Sequence, residues 1–193
     1  MRDFASMLQH ACQNAMDRAT DSISLLVNAE VRGKIQGISL MTLSGFFKRI
    51  REIQDQAVGI VAKVKDGLNG LILIIIIDYD LVDHLLDFVL MNYGDYMHEE
   101  DLSIDLEVDM LKEIAEIIIG NLIQELSKLF KTSVRYESPS VAIDIVTAIP
   151  KQLHKSLLSG DTNVLILHTV LELDGHEHTA DIVLMLSSKV PKG

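Results

Sequence analysis

The feature that most constrains this fold is a long amphipathic segment, 109–130, that has a counterpart near the start of the chain. Its apolar residues recur every three or four positions, which is the period of a helix that buries one side. The segment is long enough for about five or six helical turns. The apolar positions are Met110, Leu111, Ile114, Ile117, Ile118, Leu122, Leu126 and Leu129.

Two acidic residues and a glycine occupy the other side of this predicted helix. Glu113 and Glu116 are three positions apart, so they lie one above the other and face solvent. Gly120 follows one turn further along the same side. Because a mid-helix Gly costs about 0.5–1 kcal/mol relative to Ala, its presence predicts that something approaches the backbone closely at this point.

The pattern repeats at a constant offset of 103, which aligns Met110 with Met7 and carries the segment onto 7–27. The same offset pairs Glu113 with His10, Glu116 with Gln13, and Gly120 with Asp17. We therefore interpret the chain as two copies of one unit, about 5–94 and 108–188. The gapless identities are Met7 and Met110, Leu8 and Leu111, Ser24 and Ser127, Leu26 and Leu129, Val31 and Val134, and Arg32 and Arg135.

Turn residues place one β-hairpin in each copy. The pairs Asp66-Gly67 and Asp174-Gly175 each separate two runs of apolar and β-branched residues. Each copy is then a helix, an extended segment and a hairpin. Hairpins require antiparallel pairing, so we predict an α+β fold. In this fold the internally duplicated helix–extended–hairpin units share one antiparallel sheet with two long helices, as a single domain over 1–193.

In the first copy, the sequence pattern predicts the bounds of these elements. Residues 4–27 form the first helix, and the glycine-punctuated stretch 28–43 forms short extended segments. A helical or looping excursion over 44–54 turns Phe46 and Phe47 inward. The hairpin strands are 57–65 and 71–77. Asp80 caps a helix that ends at 92–94.

The second copy begins after an acidic stretch, 95–109, which we interpret as a solvated link with Ile104 and Leu106 tucked in. An extended stretch over 133–147 is broken at Pro139. The remaining predicted elements are a short helix over 150–159 and hairpin strands over 163–173 and 179–186.

Composition excludes several classes of function. The formal net charge of −11, with no cluster of Lys and Arg, argues against nucleic-acid binding. The longest apolar run, 71–77, is far shorter than the roughly 20 residues of a membrane span, so we expect no membrane insertion. Cys12 is the only cysteine, which excludes an internal disulfide. With no secretory leader at the start of the sequence, these features predict a cytoplasmic protein.

The helix motif resembles that of the CheC, CheX and FliY family of chemotaxis phosphatases. In that family an acidic residue is followed three positions later by Asn, then by apolar residues and Gly, often with a further Asn. Residues 112–121 (KEIAEIIIGN) resemble this segment, and 138–141 (SPSV) resemble the stretch that follows it. CheC is itself a duplicated chain with one such helix per half, so the resemblance covers nearly the whole sequence.

The resemblance implies a function and a set of site residues. The family hydrolyses the phosphoryl group on the aspartate of a response regulator such as CheY. Its acidic residue pairs with a lysine of the regulator, and its Asn amide orients the attacking water. The regulator supplies the Mg²⁺, so no cofactor is expected in this chain. The implied catalytic residues are Glu113, Glu116, Gln13 and His10, and the implied docking residues are Gly120, Asn121 and Asp17.

This sequence departs from the family motif in both copies. Glu116 stands where Asn is expected, and an ionised carboxylate cannot donate a hydrogen bond to water and is repelled by a phosphoryl group. Gln13 keeps the amide, with one more methylene. His10, however, replaces the acidic residue of the motif, and Asp17 replaces its Gly. Neither copy of the motif is intact.

Three functions therefore stay open. The first is a CheC-like protein that binds a CheY-type regulator and hydrolyses its phosphoaspartate. The second is a non-enzymatic adaptor of the same fold, with a partner such as CheD. The third is an unrelated α+β domain with a small-ligand or metal site near His168, His176 and His178. His176 and His178 alternate along a strand and point the same way. No spacing fixes a fourth ligand, so we expect solvated histidines and no metal.

Overall fold

A computed structural model describes residues 2–53, 56–68, 70–93, 104–142, 144–152 and 162–186. The helices are α1 (Arg2–Val27), α2 (Leu43–Glu52), α3 (Tyr79–Tyr93), α4 (Ile104–Phe130) and α5 (Ile145–Gln152). The strands are β1 (Val31–Thr42), β2 (Ala57–Asp66), β3 (Leu71–Asp78), β4 (Arg135–Tyr136), β5 (Ser140–Ala142), β6 (Asn163–Leu173) and β7 (His176–Leu186).

All described strands join one seven-stranded antiparallel sheet in the order β1-β6-β7-β3-β2-β4, with β5 also paired to β2. The two predicted hairpins, β2–β3 and β6–β7, meet in the centre through β3 and β7. The extended segment of each half pairs with the hairpin of the other half: β1 pairs with β6, and β5 pairs with β2. The predicted α+β fold with a shared antiparallel sheet is confirmed.

The central strand β3 explains the long apolar run of the sequence. Helices α1, α3 and α4 cover one face of the sheet, and α2 and α5 cover the other. A central strand with both faces covered has no polar side, so its residues are apolar without alternation. The side chains on the first face are Leu71, Leu73, Ile75 and Ile77, and those on the second are Ile72, Ile74 and Ile76.

The two long helices pack against each other in antiparallel directions. Phe4 near the start of α1 lies beside Phe130 at the end of α4, with ring centroids 6.0 Å apart. Further along the pair, the guanidinium of Arg18 is ion-paired with Glu125. Lys128 Nζ also donates to Glu125 Oε1, at 2.8 Å. The buried carboxylate of Glu125 therefore contacts two cations through one oxygen, Oε1: Arg18 from α1 and Lys128 from α4.

Several predicted boundaries differ from the observed ones. The stretch predicted as short extended segments is one long strand, β1, with a β-bulge between Ile35 and Gly37. The stretch predicted as a helical or looping excursion, 44–54, is largely the helix α2, where Phe46 is buried and Phe47 half-buried. Helix α4 begins at Ile104, so the end of the predicted acidic link is helical. The rest of that link, 95–103, lies outside the described residues.

Helix α5 begins five residues before the predicted short helix, so the extended prediction for 145–147 is wrong. Ile145 and Ile149 are one turn apart and fully buried. Both pack onto Gly59 of β2, at 3.0 and 3.2 Å from the position of an added Cβ. Tertiary packing therefore outweighs the extended preference of β-branched residues. Residues 153–159 of the predicted helix lie outside the described ranges.

Helix α3 is capped by Asp78, not by the predicted Asp80. The Asp78 carboxylate accepts the backbone N–H of Leu81 at 2.8 Å, which satisfies one of the free donors at the start of the helix. Asp80 lies in the first turn. Strand β7 also starts earlier than predicted, at His176. No helix within the described ranges is both long enough and apolar enough to cross a membrane.

Candidate docking site on helix α4

Helix α4 presents two carboxylates on the side that faces away from the sheet. Glu113 and Glu116 are both exposed, while the neighbouring Ile114 and Ala115 are buried. Within the described residues, the carboxylate of Glu113 has neither an ion-pair partner nor a hydrogen bond. Five residues after Glu116, Asn121 is half-buried and its Nδ2 donates to the carbonyl of Ile117 at 2.9 Å. The Asn121 amide is thus turned toward its own helix.

A tyrosine that the sequence analysis missed lies across this face. The hydroxyl of Tyr136, on β4, lies 3.5 Å from where a Cβ on Gly120 would be. The group that approaches the glycine is therefore part of this chain, and it leaves room for a methyl group. Burial, and secondarily the charge of Glu116, raises the pKa of Tyr136 above its ordinary value. Tyr136, Gly120 and Glu116 form one surface.

The equivalent residues on α1 have a structural role. Gln13 Oε1 accepts the backbone N–H of Ile35 at 2.8 Å, and Gln13 Nε2 donates to the carbonyl of Gly33 at 2.9 Å. The second hydrogen of the amide is donated to Asp17 Oδ1 at 2.7 Å. Both amide hydrogens are therefore engaged within the chain. His10 and Asp17 are exposed on the same helix.

Each copy has a glycine where the other has a larger residue: the first copy has Gly33 on its strand, and the second has Gly120 on its helix. Gly33 is the residue that the 103 offset aligns with Tyr136, just as it aligns Asp17 with Gly120. A Cβ on Gly33 would lie 2.8 Å from Met16 Sδ, so α1 comes close to β1 only because Gly33 has no side chain. This close approach lets Gln13 reach the strand backbone. In the second copy Tyr136 fills the equivalent gap, and Glu116 stays exposed.

The comparisons with known proteins agree with this geometry at the level of the fold. No protein-family model matches the chain, and no curated protein matches it at a significant level. FliY from Thermotoga maritima superimposes with a TM-score of 0.71 at 15% identity, over 98% of this chain and 92% of that one. This chain has the CheC/CheX/FliY fold. The resemblance predicted from the helix motif and the duplicated layout is confirmed for the fold.

Two structures of complexes each contain a chain with the CheC/CheX/FliY fold. FliM in the FliG–FliM complex from H. pylori superimposes with a TM-score of 0.67 at 12% identity, over 96% of this chain and 94% of that chain. CheX in the CheX–CheY–BeF3–Mg²⁺ complex from Borrelia burgdorferi gives a TM-score of 0.51 at 12% identity, over 92% of this chain and 96% of that chain.

The sheet of the CheC/CheX/FliY fold separates the predicted histidine group. His168 lies on the face covered by α2, where its Nε2 is 2.8 Å from Ser39 Oγ. Its Nδ1 is 3.4 Å from Asp181 Oδ1, and Arg49 donates to the other oxygen of Asp181 at 2.6 Å. His176 and His178 project from β7 on the opposite face, beside α3. The predicted grouping of His168 with them is therefore wrong.

His178 instead meets a histidine that the sequence analysis did not single out. His84 Nδ1, on α3, lies 3.0 Å from His178 Nε2. Burial is the main cause that lowers the pKa of His178 below its ordinary value. As they are placed in the described part of the chain, no three His, Cys, Asp or Glu side chains form a ready metal site. One signal for His84 is its spacing on α3, one turn after Asp80 and next to the buried Leu85.

Proposed function

We propose that this chain is a chemotaxis signalling protein that binds a CheY-type response regulator on the α4 face formed by Glu113, Glu116 and Tyr136. The observation that carries the proposal is the contrast between the two helices. The carboxylates of Glu113 and Glu116 are exposed on α4, whereas the amide of Gln13 on α1 is held by the backbone of β1. The two acidic motif positions of α4 are therefore free for a partner, whereas the amide of Gln13 on α1 is not.

The same contrast favours docking without rapid hydrolysis. Orienting an attacking water requires a group that both donates to it and accepts from it. Glu116 is exposed, and an ionised carboxylate only accepts. Gln13 could do both, but each of its amide hydrogens already has a partner within the chain. We therefore propose that the phosphoaspartate and Mg²⁺ of the regulator stay intact in the complex.

Charge and the comparisons support this choice of partner. Two carboxylates one turn apart on an acidic protein attract a basic surface, which speeds association and favours the correct partner. The resemblance implies a regulator lysine opposite Glu113. In addition, CheX of Borrelia burgdorferi forms a complex with CheY, and its fold is shared by this chain.

The test is a binding assay with a CheY-type regulator activated by BeF3 and Mg²⁺. We expect the double variant Glu113→Gln/Glu116→Gln to bind about threefold or more weakly, mainly through slower association. The matched control is Glu107→Gln/Asp109→Asn, which makes the same charge change on the same helix. Equal weakening by both variants would show a general charge effect, and unchanged binding by both would overturn the proposed face.

A second assay separates docking from hydrolysis. The decay of the phosphorylated regulator is followed with and without this protein, and we expect the same rate in both. Acceleration that Glu116→Ala abolishes would make the chain a phosphatase that uses Glu116 as a base. Acceleration that Gln13→Ala abolishes, with the fold intact, would assign the chemistry to α1. If the regulator neither binds nor decays faster, the proposal fails.

A FliG-type protein is the second candidate partner. FliY and FliM match this fold with TM-scores of 0.71 and 0.67, against 0.51 for CheX, and FliM of H. pylori forms a complex with FliG. Binding to a FliG-type protein that is unaffected by Glu113→Gln/Glu116→Gln would favour this candidate. CheD, the adaptor partner expected from the resemblance, stays a prediction, and the same assay applies to it.

A further inference from the structure

Three imidazoles come together where helix α3 packs against the start of strand β7. His84 Nδ1 is 3.0 Å from His178 Nε2, and the ring of His84 lies 5.3 Å from that of His176, centroid to centroid. The three side chains line an open cavity of about 400 Å³. His176 and His178 alternate on β7, which sends both rings to the side that α3 covers.

Asp78 fixes the orientation of the central ring. Its Oδ2 accepts the backbone N–H of Thr179 at 2.7 Å and the hydroxyl of Thr179 at 3.0 Å. Its Oδ1 caps α3 and lies 3.5 Å from His178 Nδ1. A carboxylate behind one ring nitrogen leaves the other nitrogen to face a ligand, as in histidines that bind metals. Nε2 of His178 therefore points toward His84.

The surroundings of the rings are strongly acidic. Besides the three histidines, the residues that line the cavity are Asp78, Asp80, Asp83 and Glu177. The alternation of β7 directs the side chain of Glu177 to the opposite face, so the carboxylates beside the rings are those of the three aspartates. Three carboxylates around a space with no lysine or arginine in its lining produce a negative potential. Such a potential favours a divalent cation over an anion or a neutral ligand.

We propose that His84, His176 and His178 bind one divalent transition-metal ion of the Zn²⁺ class, with water from the cavity as the fourth ligand. Imidazole nitrogens bind Zn²⁺ at about 2.0–2.1 Å in tetrahedral sites. Two such nitrogens are about 3.3 Å apart, so the present 3.0 Å between His84 and His178 has to open slightly. The side chain of His176 is exposed and reaches the ion by a change of rotamer.

Binding replaces the hydrogen bond between the two rings. The proton shared by His84 Nδ1 and His178 Nε2 moves to the distal nitrogen of His84, so both facing lone pairs are available to the ion. The ion would then join α3 to β7. Because it would bind only the folded arrangement, it would stabilise the fold by mass action. The ligands belong to α3 and β7, not to α4, so this proposal does not depend on the proposed function.

The test uses the full chain without a polyhistidine tag. Zn²⁺ binding is measured by calorimetry, and Co²⁺ serves as a spectroscopic probe because its visible absorption reports four-coordinate nitrogen ligation. We expect one ion per chain with micromolar affinity, a higher melting temperature with Zn²⁺, and reversal by a chelator. His84→Asn and His176→Asn should each weaken binding about tenfold or more.

His10→Asn, on the exposed side of α1, is the control and should bind as the unmodified chain does. His178 is buried, so its replacement could unfold the protein; the variants of His84 and His176 are therefore decisive. Circular dichroism confirms that they are folded. Zn²⁺ affinity that persists in the double variant His84→Asn/His176→Asn, or the absence of any stoichiometric binding, would overturn the proposal.

Discussion

Gln13 Oε1 accepts the backbone N–H of Ile35 at 2.8 Å, so a side chain from helix α1 pairs with the outer edge of strand β1. The same amide donates to the carbonyl of Gly33, two residues earlier. An edge strand exposes unpaired backbone groups that can template aggregation. Gln13 therefore closes part of this edge in the way that another strand would. Its position in the motif is the same as that of Glu116, but its role in the structure is different.

The first prediction concerns the stability of that edge. Gln13→Ala leaves the half-buried N–H of Ile35 and carbonyl of Gly33 without their partner. Loss of a partner from such groups costs about 1–3 kcal/mol, and we expect a decrease of this size in the free energy of unfolding, measured in urea. His10→Ala, at an exposed position of the same helix, should change it by less than about 0.5 kcal/mol. Equal effects from the two variants would contradict the edge-closing role.

The second prediction compares two glycines of β1. A Cβ at Gly33 would lie 2.8 Å from Met16 Sδ and 2.9 Å from Thr20 Cγ2, whereas a Cβ at Gly37 would have nothing within 4 Å. Gly33→Ala should therefore push α1 away from the strand and cost about 1–3 kcal/mol, as other overpacked cores do. Gly37→Ala should be neutral within about 0.5 kcal/mol. Melting temperatures measured side by side check the pair, and similar losses in both would argue against close packing at Gly33.

The sequence predicted the long helices, both hairpins and the shared sheet because each depends on local signals. The 3.6-residue period marks α1 and α4, and Asp-Gly pairs mark the hairpin turns. What it missed depends on contacts between distant segments. The i, i+4 pair Ile145 and Ile149 becomes helical because it packs on Gly59. The division into two repeats, 5–94 and 108–188, stays a prediction, and the strand exchange between halves is in keeping with it.

The candidate site was predicted only in part. The exposed face with Glu113 and Glu116 follows from helical spacing. The partner of Gln13 could not be predicted, because it depends on which strand lies beneath α1 and on a bulge in that strand. Tyr136 was missed for a similar reason, although the 103 offset that aligns it with Gly33 was a usable signal. His84 belongs to an element far from β7 in sequence, so spacing within the hairpin could not reveal it.

The third prediction addresses Gly120. The nearest side-chain atom to an added Cβ is the Tyr136 hydroxyl at 3.5 Å, which is an ordinary contact distance. Alanine therefore fits, and it removes the conformational cost of glycine within a helix. Gly120→Ala should raise the free energy of unfolding by about 0.5–1 kcal/mol. A loss of stability in urea unfolding would show that Tyr136 is packed more tightly than this distance indicates.

Binding by the same variant tests whether a partner needs the bare backbone at Gly120. If the regulator docks directly over this turn of α4, the methyl group should weaken binding even though the protein is more stable. Gly45→Ala is the control, since its added Cβ would also have only ordinary contacts, at 3.4 Å from Thr42 Oγ1, and it lies on α2 on the other face of the sheet. Equal affinities for the two variants would place the docking contact on Glu113 and Glu116 alone.

The fourth prediction concerns Glu125 and pH. The hydrogen bond from Lys128, with further help from Arg18, lowers the pKa of this buried carboxyl in spite of the opposing effect of burial. A group whose pKa is lower in the folded protein stabilises the fold above its unfolded pKa of about 4.3. That contribution is lost as the pH falls toward the folded pKa. Replacing Glu125 with Gln should therefore cost about 1–3 kcal/mol at pH 7, and the difference from the unmodified chain should shrink below about pH 4.

Urea unfolding from pH 7 to pH 3 measures this effect. Glu113→Gln is the matched control, because its carboxylate is exposed and has no ion-pair partner among the described residues. The control should follow the unmodified chain at every pH, whereas the Glu125→Gln curve should be flatter at the acidic end. Burial raises the pKa of the Cys12 thiol to about 12, and the charge of Glu125 is a second cause. The same variant, Glu125→Gln, should therefore lower the pKa of Cys12. Parallel unfolding curves for the three proteins would mean that Glu125 is not held by Arg18 and Lys128 in solution.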